Sequence, residues 1–194
     1  MARVRTFIAV EVGDAVRSSA VALQQTLAKT GAEVNWVPPE NIHVTLLFLG
    51  EVDERDLAAV CRVVVDTAAG EPPFALRVSG IGAFPNLRRP KIIWAGLTDG
   101  AAELTRLHDR LEPPLLELGC YRREDRPYTP HLTLGRVKSE ADGQMLAPAL
   151  PKHADWAGGQ TTVDEVVLFS SELRPGGSVY TPNGRGKLTG RRNA

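Results

Sequence analysis

Asn41-Ile42-His43-Val44-Thr45-Leu46 and Thr129-Pro130-His131-Leu132-Thr133-Leu134 share a four-residue core, His-x-Thr-Leu, set 88 residues apart. Each copy is followed by a glycine, Gly50 or Gly135, and then by a helix-like segment. A motif repeated in matching context in both halves of a chain predicts two similar lobes about a pseudo-two-fold axis. In a strand, residues i and i+2 point to the same face, ~6.6 Å apart. His43 and Thr45 therefore share one face, and Val44 and Leu46 the other. His131 and Thr133 are opposed to Leu132 and Leu134 in the same way. The aliphatic pairs anchor a core, so the two His/Thr pairs face a cleft between lobes.

The rest of the chain reads outward from these strands. Phe7 to Val10 is a first strand, and Asp14 to about Thr30 an amphipathic helix closed by Gly31. Glu33 to Val37 is extended up to Pro38-Pro39, and Ile42 to Leu49 is a strong strand. Asp53 caps a helix ending at Gly70, and Phe74 to Val78 is a strand. Gly80, Gly82, Pro85 and Asn86 mark a loop, and Lys91 to Leu97 is a strand. A helix from Ala101 to Leu118 is expected to break or kink at Pro113-Pro114, because proline lacks the N–H that a helix interior uses. Tyr121 to Pro130 is a charged loop, Leu132 to Val137 a strand, and Ser139 to Leu150 a weak helix. Val163 to Ser170 is a strand, Ser178 to Thr181 a short last one, and residues 184–194 a frayed tail. Several strands lie too close in sequence for parallel crossovers. The fold class is α+β, one two-lobed domain spanning residues 1–194, each lobe contributing one His-x-Thr-Leu motif.

Composition bounds the function. The chain has 194 residues, 43% hydrophobic and 24% charged, with 23 Lys+Arg against 23 Asp+Glu. Such a chain builds a core without disulfide or metal staples, and a net charge of zero excludes a polycation that coats duplex nucleic acid. Cys61 and Cys120 lie in apolar helix-like stretches and read as two buried free thiols in a reducing compartment. No apolar run approaches a membrane span, and the N-terminal apolar run is too short for a signal peptide. The expectation is a cytoplasmic protein without a membrane partner.

Two histidines and two hydroxyls across one cleft suit phosphoester chemistry. Hydrolysis needs a base for the attacking water and an acid for the leaving oxygen, and histidine, with a pKa near ~6.5, serves as either. Threonine hydroxyls can donate to phosphoryl oxygens where transition-state charge collects. The arrangement requires no metal and no cofactor. His108 and His153 lack this context and read as surface residues.

These residues resemble the two-histidine phosphoesterase superfamily, and within it the RNA 2′,3′-cyclic phosphodiesterases, also called 2′-5′ RNA ligases. The resemblance covers nearly the whole chain. It is carried by Arg5-Thr6-Phe7-Ile8-Ala9-Val10, by the run from Trp36 through His43 and Thr45 to Gly50, by the run from Arg126 through His131 and Thr133 to Arg136, by the late Val166-to-Ser170 strand and by Tyr180-Thr181-Pro182. It implies a bilobal α+β fold with antiparallel sheets lining a central cleft. It implies metal-independent opening of an RNA-terminal 2′,3′-cyclic phosphate to a 2′-phosphomonoester, and ATP-independent 2′-5′ ligation as the reverse chemistry. By position, His43 corresponds to the general acid, His131 to the base, and Thr45 and Thr133 to the phosphate binders. The implied partners are RNA ends bearing the cyclic phosphate, tRNA halves among them, handled by a monomer.

Neighbouring residues supply candidates for substrate binding. Arg126 and Arg136 flank the second motif, and arginine holds phosphate oxygens bidentately. Strict alternation puts Arg136, five residues after His131, on the opposite face, which favours Arg126. Tyr128, Phe48 and Trp36 are the candidate stacking surfaces for a terminal base. The same rule of alternation favours core packing over stacking for Phe48, five residues after His43. Arg88, Arg89 and Lys91 form a basic patch that either guides a strand or is a solvated loop. The competing functional classes are a nucleotide or RNA-end binding module without turnover, and a phosphodiesterase on small cyclic nucleotides or 2′-5′ oligonucleotides.

Overall fold

Val44 and Leu132, the residues that follow the two motif histidines, form the single register pair between the two central strands of the sheet. The computed structural model describes residues 2–123, 125–175 and 177–191. Its elements are β1 (Arg3–Glu11), α1 (Asp14–Ala28), β2 (Val34–Trp36), β3 (His43–Asp53), α2 (Leu57–Ala69), β4 (Phe74–Phe84) and β5 (Ile92–Leu97). There follow α3 (Ala101–Glu117), β6 (Leu132–Val137), α4 (Glu140–Leu146), β7 (Ala157–Val163), β8 (Glu165–Arg174) and β9 (Gly177–Lys187). The strands form one curled sheet in the order β7-β4-β5-β6-β3-β1-β8-β9, with β2 added on β6 and every pairing antiparallel. On one side of the β3/β6 junction lie β3, β1, β8 and β9, and on the other β6, β5, β4 and β7 with β2 added on β6. His43 and His131 begin or precede the two strands that meet there.

The lobes are not the two halves of the sequence. Helix α1 follows β1 but packs across the junction on β7 and β6, while α2 and α3 cover β9, β8 and β3. The aliphatic residues of both motifs, Val44, Leu46, Leu132 and Leu134, are fully buried beneath these helices. Among the described residues, no helix is long and apolar enough to cross a membrane.

Five elements differ from their sequence expectations, four of them because of packing. Strand β4 runs on to Phe84 through Gly80 and Gly82, since the Trp94 ring of β5 lies across Gly82 where any Cβ would collide with it. Helix α3 continues past Pro113-Pro114 to Glu117. Leu104, Leu107, Leu111 and Leu115 form one fully buried stripe on it, and Pro113 sits on the exposed side. That burial outweighs two missing N–H donors. Strand β7 (Ala157–Val163) carries two glycines and no apolar alternation to announce it. Strand β9 takes in residues expected to fray: Gly184 and Gly186 let α2 approach until Cys61 and Ala68 touch the strand, and Leu188 beyond it is buried. Residues 192–194 of that tail lie outside the described residues. Helix α4 is only seven residues, capped by Ser139, which accepts from the Asp142 N–H. Cys61 and Cys120 are free thiols, half-buried rather than fully buried.

Candidate active site

The His43 ring is fixed through its two nitrogens. Nδ1 lies 2.6 Å from the carbonyl of Asn41, and Nε2 lies 2.9 Å from the Thr45 hydroxyl. A carbonyl can only accept, so Nδ1 carries the proton and the neutral ring turns its Nε2 lone pair to the cleft. His131 repeats the device: its Nδ1 lies 2.7 Å from the carbonyl of Thr129, again two residues upstream. The Val44/Leu132 register faces Thr133 toward His43 and Thr45 toward His131.

Both imidazoles are packed among aromatic rings. Phe7 stacks on His43 at 5.0 Å, and Tyr180 meets it edge-on at 5.5 Å. Phe84 meets His131 edge-on at 5.1 Å, with Trp94 at 6.0 Å. This burial lowers the pKa of each histidine below its ordinary value, because desolvation penalises the imidazolium. The bond to Asn41 and the charge of Glu11 oppose the fall at His43, while His131 adds to it. At His131 the bond to Thr129 opposes it, and the charge of Arg136 adds to it.

A cleft of about 400 Å³ opens over His43, while His131, across the Val44/Leu132 junction, is not part of its lining. His43, Thr45 and Thr133 line it, together with Arg5, Phe7, Asn41, Phe48, Arg136, Ser178 and Tyr180. Arg136 and Phe48 are there against the rule of strict alternation, for one shared reason. Between β3 and β1 the register passes from Thr45↔Ala9 to Leu47↔Ile8, leaving Leu46 as an extra residue. Between β6 and β5 it passes from Thr133↔Trp94 to Gly135↔Ile93, leaving Leu134 extra. A bulge of one residue reverses the alternation beyond it. The fifth residue after each histidine thus returns to the cleft face, and Phe48 is left 51% exposed. The doublet Leu46-Leu47, two apolar neighbours where alternation expects one, is the sequence signal of the first bulge. Leu134-Gly135 gives a fainter one.

The other expected binders are engaged elsewhere. Trp36 on β2 covers Gly135, where a Cβ would come within 2.8 Å of its ring, and it does not line the cleft. Tyr128 donates its hydroxyl to the Thr45 carbonyl at 2.8 Å, and burial pushes its phenol well above the ordinary tyrosine value. Its ring stacks on His108 at 4.3 Å, so His108 is a packed residue and not a surface one. Arg126 is exposed in the loop before β6 and also lies outside the cleft lining. Asn41, unremarked in the sequence, donates to the carbonyl of Ser178 at 2.7 Å and ties β9 to the His43 wall.

A family model described as the 2′-5′ RNA ligase superfamily matches residues 8–174. The chain belongs to that superfamily. A relative from Methanothermobacter thermautotrophicus, named RNA 2′,3′-cyclic phosphodiesterase, is 37% identical over 179 residues, covering 92% of this chain and 96% of the relative. Among solved structures, one of a protein from Thermus thermophilus matches with a TM-score of 0.82 at 32% identity, covering 97% of this chain and all of that one. The structure of E. coli LigT complexed with 3′-AMP matches with a TM-score of 0.79 at 27% identity, covering 96% and 99%.

Proposed function

We propose that this protein opens 2′,3′-cyclic phosphates at RNA ends, leaving a 2′-phosphomonoester, with His131 as base and His43 as acid. The observation that carries the reading is the matched pair of imidazoles, each with Nδ1 bonded to the carbonyl two residues upstream, which leaves Nε2 for proton exchange, that of His43 lying 2.9 Å from the Thr45 hydroxyl. His131 takes a proton from water as the water oxygen attacks phosphorus. The P–O3′ bond breaks in line, and His43 delivers its Nε2 proton to O3′. Thr45 and Thr133 donate to the non-bridging oxygens, and the guanidiniums of Arg5 and Arg136 offset their charge. Neither arginine is in an ion pair among the described residues, so both charges are available to phosphate. A 5′-hydroxyl in place of water would give a 2′-5′ linkage by the same displacement, without ATP.

Two of the similar proteins above support the substrate: the M. thermautotrophicus relative bears the name of this activity, and E. coli LigT was crystallised with 3′-AMP. The exposed Phe48 ring, beside Tyr180 at the cleft, is the stacking surface for the terminal base. The strand upstream of that end lies along Arg88, Arg89 and Lys91. Arg136, Ile92 and Phe84 form one row across β6, β5 and β4, and the loop carrying these cations continues directly from it. Asn86 fixes the loop by accepting from the N–H groups of Arg88 and Arg89 at 3.0 and 3.1 Å.

The test is turnover of cyclic-phosphate RNA ends and of 2′,3′-cyclic AMP in EDTA, with the products resolved into 2′- and 3′-phosphates. A 2′-phosphate is expected; no turnover on either substrate, or a 3′-phosphate product, overturns the reading.

A further inference from the structure

Gln24 is a buried polar side chain that the proton transfers do not use. It lies on the inner face of α1, 6% exposed. Its Nε2 donates to the carbonyl of Val37 at 2.8 Å and to the carbonyl of Leu134 at 2.9 Å, which uses both of its N–H bonds. Leu134 is the extra residue of the β6 bulge, and its carbonyl also accepts from the Val37 N–H at 2.9 Å. The bulged residue falls off the ladder with β5 but keeps the Val37 N–H of the neighbouring β2 side, and Gln24, on a helix 110 residues away in sequence, is a second donor that clamps this carbonyl to that of Val37.

We propose that Gln24 is a positioning residue, fixing the bulge at Leu134 and thereby setting the Arg136 guanidinium in the cleft. The inference rests on the reading of that cleft as a phosphate site. Its logic is one of alternatives. A regular β6 would pair Leu134 and turn Arg136 toward the buried face, where a guanidinium has no partner. The bulged β6 puts Arg136 in the cleft and leaves a buried acceptor for Gln24. An apolar side chain at position 24 removes two donors from two buried carbonyls, and the strand relieves this by shifting beyond Thr133. Tyr128 serves the first motif in a related way, since its hydroxyl binds the Thr45 carbonyl next to the Leu46 bulge.

The test is a double-mutant cycle of Gln24→Met and Arg136→Met. Wild type, both single variants and the double variant are compared for kcat and KM on 2′,3′-cyclic AMP, for the pH dependence of kcat/KM, and for affinity for inorganic phosphate by calorimetry. Arg136→Met is expected to weaken phosphate binding ~10-fold or more, the worth of a charge-assisted bond. Gln24→Met should reproduce part of that loss, raise KM more than it lowers kcat, and add little once Arg136 is gone. Both single changes should move the His131 limb of the pH profile upward, because the Arg136 charge helps to hold that histidine low. A Gln24 variant that only lowers Tm, with KM, phosphate affinity and pH profile unmoved, overturns the proposal. So do full additivity and an Arg136→Met that binds phosphate like wild type. Should Gln24→Met fail to fold, Gln24→Asn, one methylene short of both carbonyls, takes its place in the cycle. If wild type turns over no cyclic phosphate, the functional reading fails, while the phosphate titration still decides the role of Gln24.

Discussion

Each motif imidazole gives one nitrogen to a backbone carbonyl, and that bond limits what the other nitrogen can do. With Nδ1–H committed to Asn41 or Thr129, Nε2 is the position left for proton exchange. With the proposed roles, base for His131 and acid for His43, the active form has His131 neutral and His43 protonated. Burial lowers both pKa values. As pH falls, His131 stays neutral to a lower pH than a free imidazole; as pH rises, His43 loses its proton earlier than a free one. Both limbs of the kcat/KM profile therefore move to lower pH, and the bell is expected to peak below ~6.5, the unperturbed histidine value. A measured maximum above neutrality contradicts these environments. His43→Ala and His131→Ala are each expected to cost ~10²–10⁴-fold in kcat/KM, with the folded state retained by circular dichroism. The pair was legible in the sequence because the motif is short, duplicated and aligned with strand alternation. Arg136 and Phe48 were not, because each lies beyond a bulge, and a bulge is decided by a neighbouring strand distant in sequence. Tyr128 and Trp36 look like base platforms until the carbonyl of Thr45 and the bare Cα of Gly135 claim them.

The elements show local preference yielding to burial. Helix α3 carries Pro113-Pro114 in its interior and still runs to Glu117, because Leu111 and Leu115 on either side of the pair are fully buried. Pro113 is exposed, so replacing it touches no core contact and restores a donor to the Asp109 carbonyl. Pro113→Ala is expected to raise stability by about 1–3 kcal/mol, read as a higher urea midpoint with unchanged m. No change, or a loss, would mean that α3 is distorted at this point. The sequence places a helix at each of the four α-helices among the described residues, most securely at α1, which buries Val16, Ala20, Leu23 and Leu27 at helical spacing. Strands β7 and β9 were lost or cut short for the converse reason: their glycines are there to let Trp156 and α2 come close, and a residue chosen for its missing side chain leaves no apolar pattern to read.

At the scale of the molecule the deciding property is where charge is left unpaired. The balance of 23 cations and 23 anions conceals an unequal distribution. On the side of β8 and β9, Arg185 is bound to Glu11 and Glu165, and Arg174 to Glu172. Near the second motif, Arg123 is bound to Glu112 and Lys138 to Glu33. Arg88, Arg89 and Lys91 are in no ion pair among the described residues, and their loop continues the row that contains Arg136. None of the three lines the cleft, so the proposed path of the RNA strand would meet them only beyond the terminal nucleotide. Arg88→Ala with Arg89→Ala is therefore expected to raise KM for a cyclic-phosphate oligonucleotide several-fold and to leave KM for 2′,3′-cyclic AMP unchanged. Each phosphate contact to single-stranded RNA contributes ~0.7 to the slope of log affinity against log salt, so the double variant should bind the oligonucleotide with a slope shallower by about one to one and a half. An equal effect on both substrates would place these arginines at the terminal nucleotide. An effect on neither would make the loop a solvated turn, and would leave the neutral chain holding its substrate by the terminal phosphate and base alone.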